Sequence, residues 1–228
     1  MDLLSHPQFW LGLGQIIWIN LILSGDNAVV IALAARGLPP ERQKQAIFWG
    51  TAAAVVLRVL LTIVAVKLME LPWLQLIGGL LLLWIGVQLL DDGDGEEAHG
   101  TGNAGVMAAI RTILVADLVM SLDNVLGVAA AANGDITLLV IGLAVAIPIV
   151  IFGSTLMLKI MGRFPAIVTL GAALIGWVGG ETLVSDQMIA PLVPHHSVGF
   201  YLAAALGAVL VVGVGKFRQN RRVEGPAT

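Results

Sequence analysis

Cysteine is absent from the chain, which excludes disulfides, thiolate metal sites and a cysteine nucleophile. Charge is scarce as well. Asp, Glu, Lys and Arg together make up 12% of the residues, whereas soluble domains carry about 25%. Neither HExxH nor GxSxG occurs in the apolar segments, so the chain is read as a non-enzyme with no prosthetic group. No nucleic-acid partner is expected. The first residues, Met1 to Pro7, have no basic stretch and no small-residue cleavage site, so the first apolar run is read as a retained helix and not as a signal peptide.

What fills the chain is apolar. Hydrophobic residues are 58% of the total and mean hydropathy is +0.94, which marks a polytopic membrane protein whose surroundings are the lipid bilayer. At about 20 residues per crossing, seven helices and short loops nearly exhaust the 228 residues and leave no room for a soluble catalytic domain. Apolar runs bounded by Pro, Gly and charge place the spans at 9–35, 46–66, 72–90, 105–131, 136–158, 165–184 and 199–216. In this seven-span arrangement Arg36, Arg42, Lys44, Arg111, Lys159, Arg163, Lys216, Arg218, Arg221 and Arg222 fall on one side, and only Lys67 falls on the other. Basic loops stay in the cytoplasm, so the C-terminus is expected inside and the N-terminus outside. The stretch from Asp91 to Asn103 has five acids, four glycines and no Lys or Arg, and it reads as a solvated cytoplasmic linker. An outer loop with Asp186, His195 and His196 invites a metal-exit reading, but adjacent histidines beside Pro194 read as ordinary exposed loop residues.

Against this apolar background, Leu23-Ser24-Gly25-Asp26-Asn27 and Met120-Ser121-Leu122-Asp123-Asn124 each put a carboxylate and a carboxamide inside a spanning segment. An Asp at the centre of a spanning helix costs roughly 2.5 to 3.5 kcal/mol on insertion scales, so two such motifs suggest a working polar site. The motifs lie 97 positions apart, and at that spacing Asn20 aligns with Asp117, Ser24 with Ser121 and Gly37 with Gly134. After a small gap Gly50 meets Gly142 and Lys67 meets Lys159, and Trp84 to Gln88 aligns with Trp177 to Glu181. Each half is then a unit of three helices. Three crossings is an odd number, so the second unit enters the membrane from the opposite side and the repeats are inverted. The fold class expected is an all-α membrane protein of seven transmembrane helices. Residues 1–90 form the first repeat, 91–104 the linker, 105–184 the inverted second repeat, and 185–228 an outer loop, a seventh helix and a basic tail. The seventh helix has no partner and is read as a stabilising or homo-oligomer contact.

Residues at i, i+4 and i+7 share one helix face, so Asn20, Ser24 and Asn27 form one polar stripe and Asp117, Ser121 and Asn124 another. Asp26 and Asp123 stand about 100° from them at the stripe edges. The donors are all oxygen, which suits hard cations such as Mg²⁺, Ca²⁺ and Mn²⁺ and not Zn²⁺ or Cu⁺. Asp26, Asn27, Asp117, Asp123 and Asn124 are the candidate metal ligands, and Met120 is a candidate softer contact that also reads as packing. Asn20, Ser24 and Ser121 support the site or simply bridge helices. Arg58, inside the second span, either pairs with a site carboxylate when metal is absent or snorkels. Glu181 is a proton relay or an interfacial acid. Metal ligands must be deprotonated, so the surplus of acids predicts exchange of metal against protons. Ala172, Gly176 and Gly180, with Gly78, Gly79 and Gly86, are packing signals.

The two Asp-Asn motifs, extended to Leu23–Ala32 and Ala116–Val125 with Arg58 between, resemble the short branch of the TerC family of integral membrane proteins, and the similarity runs to about residue 216. The resemblance implies manganese(II) efflux and metal-ion homeostasis in a bacterial plasma membrane, with Mn²⁺ as the transported substrate, and the family name is associated with tellurite resistance. Family members often have an acid where Asn20 stands here. A Ca²⁺/H⁺ exchanger and a non-transporting membrane scaffold tied to metal or tellurite stress are the alternatives to a Mn²⁺ exporter working by alternating access.

Overall fold

A computed structural model describes residues 25–69, 71–91, 103–132 and 136–224, together with residues 10, 11, 13, 14, 17 and 18. Seven helices follow one another along residues 25–224: α1 (Gly25–Ala35), α2 (Pro40–Met69), α3 (Leu74–Asp91), α4 (Asn103–Ala132), α5 (Ile136–Arg163), α6 (Ala166–Ser185) and α7 (Val198–Glu224). The last six are long and apolar enough to cross a membrane. The shorter α1 is the described part of the span expected over 9–35, and the residues described between 10 and 18 are helical too.

Several helices overrun their apolar segments. α2 begins at Pro40 and carries Glu41, Arg42, Gln43 and Lys44 in its first turns before the apolar run starts. Proline suits that opening position because its fixed φ is helical and its missing N–H would have found no partner there. At the other end of the chain α7 extends past the expected boundary at 216 to Glu224. Hydropathy marks the part of a helix that sits in hydrocarbon, whereas the backbone hydrogen bonds run on into the headgroup layer.

The threading follows from which helix ends meet. The end of α1, the start of α2, the end of α5 and the start of α6 surround one pocket. At the opposite end Asp186, just after α6, accepts a hydrogen bond from the Leu76 amide at the start of α3. Near the end of α3, Leu90 packs on Gly215 near the end of α7. Arg36, Lys44, Lys159, Arg163 and Lys216 therefore lie toward a single end of the bundle, the separation of charge that the sequence predicts.

α1 is the most enclosed element, with every residue from Asn27 to Ala35 buried. It packs on α5 as α2 packs on α4, while α3 lies along α6 and both lean on α7. Large apolar side chains such as Phe48, Val56 and Ile63 on α2, Leu170 on α6 and Leu206 on α7 point outward. In water that surface would be untenable, but against lipid it is the expected exterior.

Close contact comes from small residues. A methyl group built on Gly176 of α6 would lie 2.5 Å from the carbonyl oxygen of Gly207 on α7, and one on Gly180 would collide with the carbonyl of Ala203. On α3, a methyl on Gly79 would stand 2.7 Å from the carbonyl oxygen of Gly179. The glycines thus let backbones touch, the usual basis of helix association where the hydrophobic effect is missing. Gly176→Ala is accordingly expected to lower stability by about 1 to 3 kcal/mol, measured by thermal unfolding in detergent, while Gly213→Ala, with open space around it, leaves the melting temperature unchanged or slightly raised.

Candidate intramembrane polar site

The site begins with a charge in the wrong solvent. Arg58 lies midway along α2 and is buried, and a guanidinium at that depth needs an acid, water or backbone carbonyls around it. α4 supplies the acid. Asp117 and Ser121 are one turn apart on that helix and both are buried. Arg58 Nη2 donates to Asp117 Oδ1 at 2.5 Å, and Arg58 Nε donates to Ser121 Oγ at 2.9 Å. The Ser121 hydroxyl in turn donates to Asp117 Oδ2 at 3.2 Å. Each side chain therefore touches the other two, and the planar fork of arginine is what allows one residue to span both acceptors.

Beside this triad is a small cavity of about 20 Å³, room for a single water or bare ion. α1 lines it with Asn27 and Ile31, α2 with Thr51, Ala54, Val55 and Arg58, α4 with Asp117, and α5 with Leu143, Ala146 and Val150. The Thr51 hydroxyl is buried on this cavity and makes no hydrogen bond among the described residues. A buried hydroxyl left in that state calls for a polar occupant. Asp26 is half-buried next to Asn27, accepts a hydrogen bond from the Asn27 amide at 2.7 Å, and lies close enough to feel the charges of both Arg58 and Asp117.

Of the residues singled out from sequence, Asn27, Asp117 and Arg58 line the cavity, Ser121 joins it through the triad, and Asp26 is adjacent. Asp123 and Asn124 continue the backbone of α4, but their side chains lie outside the described residues, as do Asn20 and Ser24 altogether. Among the described residues no three His, Asp or Glu side chains cluster as a ready metal cage. Glu181 is on α6, away from the cavity, and accepts a hydrogen bond from Trp177 Nε1 at 2.9 Å. Met120 is packed in the core and does not line the cavity. Asp186 is buried; its carboxylate takes the amides of Leu76 and Met188 and ties the start of α3 to the end of α6. The neighbouring histidines are exposed, and His196 contacts the Tyr201 hydroxyl. Thr51 went unnoticed in the sequence, although it stands seven residues before Arg58 and so on the same face of α2.

Together these features define an integral multi-pass membrane protein with a polar, ion-sized site held between its helices. The family described as "Integral membrane protein TerC family" matches residues 5–222, and the chain belongs to it. It is 41% identical over 205 residues to the membrane protein YjbE of Bacillus subtilis (strain 168), covering 90% of this chain and 94% of that one. It is 24% identical over 230 residues to YceF of the same organism, covering 96% of this chain and 88% of the relative. Over 233 residues it is 24% identical to the inner membrane protein YoaE of Escherichia coli (strain K12), covering 94% of this chain but 44% of that longer one. No solved structure matches.

Removing one partner of a buried ion pair leaves the other charge uncompensated. Arg58→Met and Asp117→Leu are each expected to cost about 3 to 5 kcal/mol, with the double variant recovering more than half of the loss. Thermal unfolding of the three purified variants in detergent measures the coupling, and strictly additive losses would show that the pair does not act as a unit.

Proposed function

We propose that this protein carries a hard divalent cation across the membrane through the site formed by Asn27, Asp117 and Asp26, with Asp123 and Asn124 completing it from α4. One observation bears most of the weight: oxygen donors from α1, α2 and α4 converge on a buried cavity of ion size within membrane-spanning helices. Oxygen donors without sulfur or imidazole favour Mg²⁺, Ca²⁺ or Mn²⁺, and membership of the TerC family favours Mn²⁺ as the substrate and the bacterial plasma membrane as the location.

Arg58 gives the site a resident counter-ion. With its guanidinium on Asp117, one carboxylate is neutralised while no metal is bound. An arriving divalent ion displaces the guanidinium, and the remaining acids exchange protons with it, since carboxylate ligands must be ionised to bind metal. Outward transport by alternating access, with proton antiport and the C-terminus in the cytoplasm, completes the proposal.

The inverted-repeat arrangement is part of the same reading, and the cavity supports it. At a shift of 92 positions, the spacing of Gly50 from Gly142 and of Lys67 from Lys159, the α2 residues Thr51, Ala54 and Arg58 correspond to Leu143, Ala146 and Val150 of α5. All six line the cavity. Equivalent faces of the two halves thus meet around one point, as they should when a pseudo-two-fold axis in the membrane plane passes through the site. Polar residues on the α2 side are answered by apolar ones on α5, so the correspondence is one of position and not of chemistry.

In sealed vesicles containing the purified protein, Mn²⁺ movement is expected with an opposite movement of protons, read by a trapped metal indicator and a trapped pH dye. Asp26→Asn and Asp117→Asn should each slow the metal flux at least tenfold. Unchanged flux in both variants would reject the site. Metal flux without proton movement would reject the antiport. Isothermal calorimetry with Mn²⁺ and Ca²⁺ in competition separates the manganese reading from a calcium exchanger.

A further inference from the structure

A second, larger pocket lies at the basic end of the bundle and plays no part in the proposed metal chemistry. It has a volume of about 440 Å³ and is enclosed by the end of α1, the start of α2, the end of α5 and the start of α6, a size in the usual range for small-molecule sites. Three cationic side chains line it, Arg36, Lys44 and Lys159, and among the described residues no acidic one does. Lys44 and Lys159 are exposed and form no ion pair among the described residues.

Helix ends of both signs reach the pocket. The starts of α2 and α6 reach the pocket at Pro40 and Pro165, bringing the positive ends of two helix dipoles. No side chain caps the start of α6. Two helix C-termini end there as well, but Gln43 Nε2 occupies the Arg36 carbonyl at 3.2 Å, which withdraws one of their acceptors. The deeper walls are apolar, built by Ile47, Leu158, Met161 and Val168. Phe48, Trp49 and Phe164 stand exposed at the same end of the helices, the position of the aromatic residues that sit at headgroup level.

We infer that this pocket binds an anionic phospholipid, with the phosphate held by Arg36, Lys44 and Lys159 and the glycerol and first acyl carbons against the apolar wall. A soluble phosphate would use the cations but leave that wall wet. A zwitterionic lipid would fill the wall but bring a positive group into a pocket that already holds three. Basic pockets between helix ends are suited to anionic headgroups for this reason. The inference is independent of the metal reading, because no ligand of the proposed cation site lines the pocket. The two are neighbours all the same: Ile47 of the pocket and Thr51 of the cavity are one turn apart on α2.

Native mass spectrometry of the full-length protein in a neutral detergent tests the inference, titrated with dioleoylphosphatidylglycerol, dioleoylphosphatidylcholine or soluble glycerol 3-phosphate. Phosphatidylglycerol is expected to bind at least tenfold more tightly than phosphatidylcholine. The double variant Lys44→Gln/Lys159→Gln should weaken phosphatidylglycerol roughly thirtyfold, and each single variant about fivefold, with phosphatidylcholine unaffected. Arg218→Gln/Arg221→Gln removes as much charge from the same end outside the pocket and should alter the affinity less than twofold. Equal effects of the two double variants would reduce the site to a diffuse surface attraction and overturn the proposal. Equal affinity for the two lipids, or displacement of the lipid by millimolar glycerol 3-phosphate, would overturn it too.

Discussion

The ion pair between Arg58 and Asp117 is the constraint around which the bundle is organised. Neither charge is tolerable alone at that depth, and the two sit on different helices, so α2 and α4 are held at one rotation and one depth relative to each other. Ser121 closes the arrangement by bonding to both members. The neighbouring faces of α1 and α5 complete the small cavity beside the pair. The Thr51 hydroxyl, which has no hydrogen-bond partner among the described residues, gives this space a polar wall.

Close backbone packing and polar contacts fall on different helix pairs. The glycine contacts of α6 with α7, and of α3 with α6, are dry and close, and they lie away from the cavity. The polar contacts concentrate between α1, α2 and α4, where the packing includes a charge pair and a small void.

Much of the site was legible in the sequence, because intramembrane polar residues are conspicuous. Asp26, Asn27, Asp117, Ser121 and Arg58 stand out against apolar neighbours, and their positions on helices of known periodicity place Asp117 and Ser121 on one face. Thr51 was not legible, because a threonine in a helix commonly satisfies itself on its own backbone, as Thr62 does on the Arg58 carbonyl. Asp186 lies in the loop after α6, where its place in the sequence puts it, but its partners were not legible: the amide of Met188 comes from that same turn and that of Leu76 from a helix more than a hundred residues earlier. Glu181 was grouped with the site on chemistry alone, and its neighbour proves to be Trp177 on its own helix.

The sequence by itself determined that this chain is a bundle of membrane helices, where those helices lie, which of their ends carry the basic charge and which residues are too polar for their surroundings. These properties follow from transfer free energies and helical periodicity, which are local and additive along the chain. Only the tertiary structure decided that Arg58 answers Asp117, that Thr51 shares their cavity, and that Lys44 and Lys159 line one pocket. Those pairings depend on how far each helix is rotated and shifted against its neighbours. That is set by the summed packing of many small residues, and no single stretch of sequence contains it.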